Sequence, residues 1–186
     1  ALFGGFPELR AFGNRTKILL NKSSYDVVID NQSLSYGMIK IQKNLPLIEI
    51  IHHPITKDYR YDIKFSKGII QKISKWRWFS FLKMQKRVSL KLRVISTPSH
   101  NSKKDIVKDF GVPERNITVI PNGIDYESFT PMQNIKRVPE QIITTASADV
   151  PLKGLDFTLH AVARLKEDFP QLRLVIIGAP RTGGHT

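Results

Sequence analysis

Cysteine is absent from this chain. That excludes structural disulfides, thiolate metal sites and cysteine nucleophiles, and it is compatible with a reducing compartment. Long apolar runs are absent too: no stretch approaches the roughly 20 apolar residues that a membrane-spanning helix needs. The opening ALFGGFPELRAFGNR lacks the basic-then-apolar layout of a secretory signal. It begins with Ala1 rather than Met, so either a first residue was removed or the true start lies elsewhere. Acidic residues are scarce. Against 29 Lys and Arg stand 16 Asp and Glu, a formal net charge of +13, and no acid lies between Ile63 and Lys104. Such an excess attracts phosphates, nucleic acid or an acidic membrane surface, and its placement decides which.

What is present suffices to fold. A chain of 186 residues with 41% hydrophobic content supports one full core, or one core and part of a second. Aromatic and branched residues spread along the whole length, which argues against a largely disordered chain. Six apolar runs recur: Tyr25–Asp30 (YDVVID), Leu47–His52 (LIEIIH), Arg93–Pro98 (RVISTP), Ile117–Gly123 (ITVIPNG), Gln141–Ala148 (QIITTASA) and Leu172–Gly178 (LRLVIIG). They are nearly continuous in Ile, Val and Leu, the pattern of parallel strands covered on both faces. Helical patterns lie between them. Ser102 and Asp105 have capping-box spacing, and Gly111 with Pro113 stops that helix. After Lys153-Gly154, residues Leu155, Leu159, Val162 and Leu165 share one helical face, and Pro170 closes the element. Strands alternating with helices predict an open α/β sheet with right-handed crossovers.

A domain boundary is expected between Phe129 and Pro139, where TPMQNIKRVP is polar and carries a Pro near each end. This divides the chain into residues 1–130 and 131–186. The second part supplies a single strand–helix–strand unit, which cannot bury both of its faces. Domains usually need ~100 residues or more, so this part is expected to be the beginning of a truncated domain.

Ligands of open α/β sheets bind beyond the carboxyl ends of the strands. Behind the six runs stand Asp30-Asn31-Gln32-Ser33, His52-His53-Pro54, Thr97-Pro98-Ser99, Pro121-Asn122-Gly123, then Ser147, Asp149 and Lys153-Gly154, and lastly Gly178 to Arg181. One or two such places would be ordinary turn chemistry. Small, polar or basic residues at all six favour a binding edge.

A strand ending in His52, a strand leading to Ser99 and a helix ending in FGVP, then ITVIPNGID, LKGLDFTLHAVARL and LVIIG occur in this order from about Tyr25 to Gly178. This order resembles glycosyltransferase family 4. The resemblance implies the GT-B fold: a Rossmann-like parallel-sheet domain on the acceptor side, then the first βαβ unit of a second Rossmann-like domain on the donor side. It implies a retaining transfer of a sugar, a hexose by family type, from a nucleotide-sugar donor to a carbohydrate or lipid-linked acceptor. The nucleotide sugar is a substrate; no metal or other cofactor is expected, and no aspartate pair has convincing metal spacing. His52 matches the family's cleft histidine near donor sugar and acceptor; its other reading is a polar turn residue before Pro54. Lys153 matches the lysine that reaches the donor diphosphate; its other reading is a solvated surface lysine. Asn122 and Gly123 match the interdomain turn on the donor side, although a plain turn using positive φ at Gly123 explains them equally well. Gly178 falls on the donor side. Asn31 and Ser99 fall on the acceptor side, with helix capping a competing use of Ser99. His53 matches no role.

The chain also departs from the family pattern. Members commonly carry an Arg one helical turn before the Lys-Gly pair, where this chain has Ser147, Ala148 and Asp149. Arg181 is the one weak substitute. The glycine-rich loop near the family's start is not evident, and the paired glutamates that hold the donor lie beyond Thr186. Residues 1–186 alone are therefore expected to turn over little nucleotide sugar. The alternative function is a non-catalytic acceptor- or membrane-binding α/β module.

The acid-free segment needs its own account. Ten Lys and Arg fall between Lys64 and Arg93, together with Trp76, Trp78, Phe79, Phe81 and Leu82. Three readings compete: helices with core-facing apolar sides and a solvated basic side, an interfacial surface for anionic lipid, or a nucleic-acid surface. No recognised nucleic-acid motif is present, so nucleic acid is not expected as a partner. A lipid surface would use Lys72, Lys75, Trp76, Arg77 and Trp78. It would place the protein in the cytoplasm, peripheral on the inner face of the membrane.

Overall fold

The computed structural model describes residues 5–20, 24–145 and 153–178. The chain divides into two compact units, Ala1–Gly123 and Ile124–Thr186. Each of the six apolar runs coincides with a strand shorter than itself, and the first strand extends one residue past its run, to Asn31.

In the first unit, α1 (Phe6–Leu20) precedes β1 (Val28–Asn31), α2 (Tyr36–Ile41) and β2 (Leu47–Ile50). A long helical excursion follows, with α3 (Thr56–Lys64), α4 (Ile69–Trp78), a 3-10 turn (Phe79–Phe81) and α5 (Leu82–Ser89). Then come β3 (Ile95–Thr97), α6 (His100–Phe110) and β4 (Ile117–Val119). The four strands form one parallel sheet in the order β1-β2-β3-β4. That order steps in one direction only. Right-handed crossovers then bring every connecting helix onto the same face.

The core follows from this. Leu47, Ile51, Ile95 and Ile117 of the sheet and its strand ends pack with Met38 and Ile41 of α2, Met84 and Val88 of α5, and Ile106 and Phe110 of α6. On the opposite face Ile29 is 61% and Ile120 58% exposed, while Ile48 and Ile50 are half-buried and Ser96 is buried. The expectation of strands covered on both faces therefore fails at the two edge strands of the described sheet. Near-continuous apolar composition reports how well a strand fits a sheet; the crossover side reports which face is covered.

Local chemistry explains the helix ends. Ser35 caps α2 by accepting from the Gly37 N–H. Ser99, not Ser102, caps α6, accepting from the Ser102 N–H at 3.0 Å. The capping-box reading was three residues late because Ser99 already has the extended backbone a cap requires. Gly111 ends α6 in the left-handed region, at φ 77. Against the desolvation that burial imposes, the Thr56 hydroxyl and the Arg60 guanidinium hold the Asp109 carboxyl below its ordinary value. These bonds, with Lys57 on Asp105, tie α3 to α6.

The basic, aromatic segment splits in two. Phe79, Phe81, Met84 and Val88 of the 3-10 turn and α5 are buried. In α4 no residue is buried. The reading in which apolar sides face the core therefore holds for α5 and fails for α4. Ile69, Ile73 and Trp76 lie on one face of α4 by helical spacing, flanked by Lys72 on one side and by Ile70 and Arg77 on the other. Ile70 is 81% and Trp76 57% exposed. Trp78 is exposed as well, while Lys75 is tied to Asp62 at 2.7 Å.

The second unit holds β5 (Gln141–Thr145), α7 (Leu155–Asp168) and β6 (Arg173–Ile177). β5 and β6 pair in parallel over all five residues of each. Val162 of α7 and Leu172 are buried, whereas Ile143 and Ile177 are exposed. Among the described residues, one helix covers one face of a two-stranded sheet.

Candidate functional site

The carboxyl edge of the four-stranded sheet gathers the first unit's candidate residues. β1 runs into a tight turn, residues 31–35, before α2. Within it Gln32 and Leu34 both adopt left-handed backbone, at φ 62 and 46. Neither is glycine, so each is held there against a local steric cost. The holder is Asp30, the third residue of β1. Its Oδ2 accepts from the Ser33 hydroxyl at 2.6 Å, the Ser33 N–H at 3.1 Å and the Leu34 N–H at 3.3 Å.

The turn reaches across to the end of β2. Gln32 Oε1 accepts the His52 N–H at 2.8 Å, and Gln32 Nε2 donates to the His53 carbonyl at 2.9 Å. Asn31 Oδ1 stands 2.7 Å from His52 Nε2. An amide oxygen only accepts, so in this contact Nε2 is the donor. Asn31 and His52 are thus brought into direct contact. Gln32 is the residue that sequence reasoning passed over: it was noted in the turn without a role, because nothing local reveals a partner 20 residues away.

The other candidates behave differently. His53 Nε2 lies 3.3 Å from Asp58 Oδ2, close enough for an ion pair when the ring is protonated, though without hydrogen-bond geometry. Ser99 spends its hydroxyl at the head of α6, accepting from Ser102. Asn122 and Gly123 are exposed beyond β4, and Gly123 does not adopt positive φ. The turn reading that required a left-handed glycine there is corrected. The next turn is instead organised by Asp125, whose carboxyl is held below its ordinary value by the Ser128 hydroxyl and the Ser128 and Glu127 amides.

Beneath the turn lies a pair that the strand pattern concealed. Asp30 and Glu49 are direct partners in the β1–β2 register, so their side chains leave the sheet on the same face. Asp30 is 7% and Glu49 0% exposed. Burial first, then the neighbouring Asp30 carboxyl, push the Glu49 carboxyl up to about 10. The Leu34 and Gln32 amides act in the lowering sense but fall short of hydrogen-bond geometry with either oxygen. Glu49 is therefore a neutral acid near pH 7. The signal was present in LIEIIH, a lone acid inside an otherwise apolar run, but its partner depends on register.

In the second unit, Lys153 is exposed and precedes Gly154, which heads α7 at φ 73 without a side-chain cap. Lys153 thus stands just before the first amides of α7, and a cation beside a helix head is a combination that favours an anionic group. Gly178 follows β6 at φ 154. Ser147, Ala148, Asp149 and Arg181 lie outside the described residues.

Among the described residues no cluster of three or more His, Asp or Glu could hold a metal ion. No described helix is long and apolar enough to cross a membrane. A cavity of about 480 Å³ opens at the amino edge of the sheet, lined by Val27, Lys43, Pro46, Arg93 and Val94 among others. No candidate residue lines it.

Comparison with known proteins adds the following. The family model described as Glycosyltransferase Family 4 matches residues 1–128. An MMP alpha-(1->4)-mannosyltransferase of Mycolicibacterium hassiacum is 41% identical over 175 residues, covering 92% of this chain and 42% of that protein. A D-inositol 3-phosphate glycosyltransferase of Stackebrandtia nassauensis is 37% identical over 79 residues, covering 37% of this chain and 18% of that protein. The chain spans less than half the length of these curated relatives.

Proposed function

The chain belongs to glycosyltransferase family 4, and from that premise we propose that it supplies the acceptor-side domain and the first donor-side unit of a retaining transferase. The reaction moves a hexose from a nucleotide-sugar donor to a carbohydrate or lipid-linked acceptor. The mannosyltransferase relative, 41% identical over most of this chain, makes mannose the favoured sugar. His52 is the residue that meets the donor sugar and the acceptor. The observation that carries this role is its fixation by Asn31 and Gln32 at the carboxyl edge of the sheet. A histidine held by its ring and its own amide needs little reorganisation to bind a hydroxyl.

Lys153 and the head of α7 take the leaving diphosphate, whose charge develops as the glycosidic bond breaks. Asn122, Gly123 and Gly178 belong to the donor side in this reading, and Asn31 to the acceptor side. In the full-length enzyme, His52→Ala should lower kcat by about 100-fold or more, the range of a lost catalytic hydrogen-bonding group. Lys153→Ala should instead weaken nucleoside-diphosphate binding by about tenfold or more, the lower end of the range for a hydrogen bond to a charged group. Calorimetric titration with a nucleoside-diphosphate panel and a transfer assay read the two effects separately. Unchanged affinity in the lysine variant would remove Lys153 from the donor site, and unchanged kcat in the histidine variant would remove His52 from the chemistry.

The exposed face of α4 favours a second contact, with the anionic headgroups of a membrane leaflet on the cytoplasmic side. An apolar stripe of Ile69, Ile73 and Trp76, edged by Lys72 and Arg77, has the layout of an interfacial helix. Trp78 adds exposed aromatic surface. Lys75 contributes less, since Asp62 already neutralises it. Sedimentation with vesicles should show binding that rises with anionic lipid and falls with salt. Replacing Ile70 and Ile73 by Ser should abolish it. Equal binding to neutral and anionic vesicles would rule this surface out.

A further inference from the structure

Asp30 and Glu49 stand side by side in the β1–β2 register, both buried, directly beneath the turn that holds His52. Two carboxyls so placed cannot both ionise. Their surroundings decide which one stays neutral. Asp30 Oδ2 takes three donors from Ser33 and Leu34. No donor N–H or hydroxyl reaches either Glu49 oxygen in hydrogen-bond geometry. A neutral Glu49 has one O–H to give, and the Asp30 carboxyl is its partner in register.

We infer that the Asp30–Glu49 carboxyl pair is a positioning device for His52. The chain of contacts is short. A protonated Glu49 gives its O–H to the Asp30 carboxyl that stands beside it in register. Asp30 clamps Ser33 and Leu34, which keeps Gln32 and Leu34 in left-handed backbone. That backbone aims Asn31 at the imidazole and Gln32 at the His52 amide. Neither carboxyl needs to touch a substrate. The burial that raises the Glu49 carboxyl to about 10 keeps the donor in place across neutral pH. Without the Glu49 proton, Asp30 would face a second buried acceptor, and the turn would relax out of its strained conformation.

The consequence for catalysis rests on the reading of His52 proposed above, so the decisive experiment is one that needs no catalysis. Two neighbouring amides serve as reporter and control. The His52 N–H is bonded to the Gln32 side chain, whereas the Ile51 N–H is bonded to the Ser96 carbonyl within the sheet. Hydrogen exchange is followed at both by NMR in the wild-type chain, in Glu49→Leu and in Glu49→Gln. Glu49→Leu should speed exchange at His52 at least tenfold while leaving Ile51 protected. Glu49→Gln, which keeps a neutral donor of the same shape, should retain protection at both. An unchanged His52 rate in Glu49→Leu would overturn the inference. So would equal acceleration at His52 and Ile51, which marks general loosening, or a Glu49→Gln variant as fast as Glu49→Leu. In the full-length enzyme, Glu49→Leu should lower kcat but not add to the loss in His52→Ala. If His52→Ala has no effect, the role of His52 fails while the exchange result still decides the positioning claim.

Discussion

Glu49→Gln should stabilise the protein by about 3 kcal/mol at pH 7 and by almost nothing at pH 4. The Glu49 carboxyl rises from an ordinary value of 4.5 to about 10 on folding. Below 4.5 the group is protonated in both the folded and the unfolded chain and costs nothing. As pH rises, the unfolded chain releases the proton and the folded chain keeps it. Each pH unit then favours unfolding by about 1.4 kcal/mol, up to the folded value near 10. At pH 7 the difference is set by the distance from 4.5. Gln keeps the shape and has no proton to lose. Urea denaturation of both proteins from pH 4 to pH 8 reads the effect. Their difference isolates Glu49 from Asp109 and Asp125, whose lowered carboxyls act in the opposite sense and on the acid side: their stabilisation is present above their ordinary 3.8 and fades below it. Stability curves that run parallel for the two proteins would show that Glu49 ionises normally.

Gly37→Ala should cost about 3 kcal/mol or more, through a collision of two helices. A Cβ at Gly37 would lie 2.2 Å from the carbonyl oxygen of Gly13, 2.4 Å from its carbonyl carbon and 2.8 Å from its Cα. All three are backbone atoms, so no rotamer change relieves them, and α1 must move off α2. Overpacking a core costs about 1–3 kcal/mol even where side chains can yield. The contact is tight in both directions, since a Cβ at Gly13 would meet Ser35, the cap of α2. Gly111→Ala provides the contrast. There the nearest atom is a Leu90 methyl at 3.8 Å, and the left-handed φ of 77 is the only obstacle. That costs about 1 kcal/mol. Thermal unfolding followed by circular dichroism should place the Gly37 variant well below the Gly111 variant. Equal midpoints would mean that the two helices are not packed as described.

The sites of these two effects differ in how visible they are in the sequence. Every strand was legible, because runs such as LIEIIH and LRLVIIG carry the composition a pleated surface needs. The carboxyl-edge residues Asn31 and His52 were legible for the same reason, since strand ends locate them. The helix after Ser99 was legible to within its cap. Glu49 was visible only as an anomaly, an acid among isoleucines. Its partner Asp30 lies 19 residues earlier and becomes a neighbour only when β1 pairs with β2 as Asp30↔Glu49. The Gly13–Gly37 contact was not legible at all, because neither glycine sits at a turn. Nor was the division of the basic segment: α4, with three Ile and two Trp, is the more apolar of the two, yet α5 fills the core and α4 stays outside.

Local pattern thus determined the six strands and the residues at their carboxyl ends, and the resemblance of the ordered motifs pointed to the family. Strand runs depend on side-chain type and short-range patterning, which the chain carries wherever it is read. Three things waited for tertiary structure: the bonds that hold His52, the neutral carboxyl beneath them and the bare face of α4. Each is a relation between segments far apart in sequence. Strand register decides which side chains stand opposite one another, and the direction of the crossovers decides which face a helix can cover.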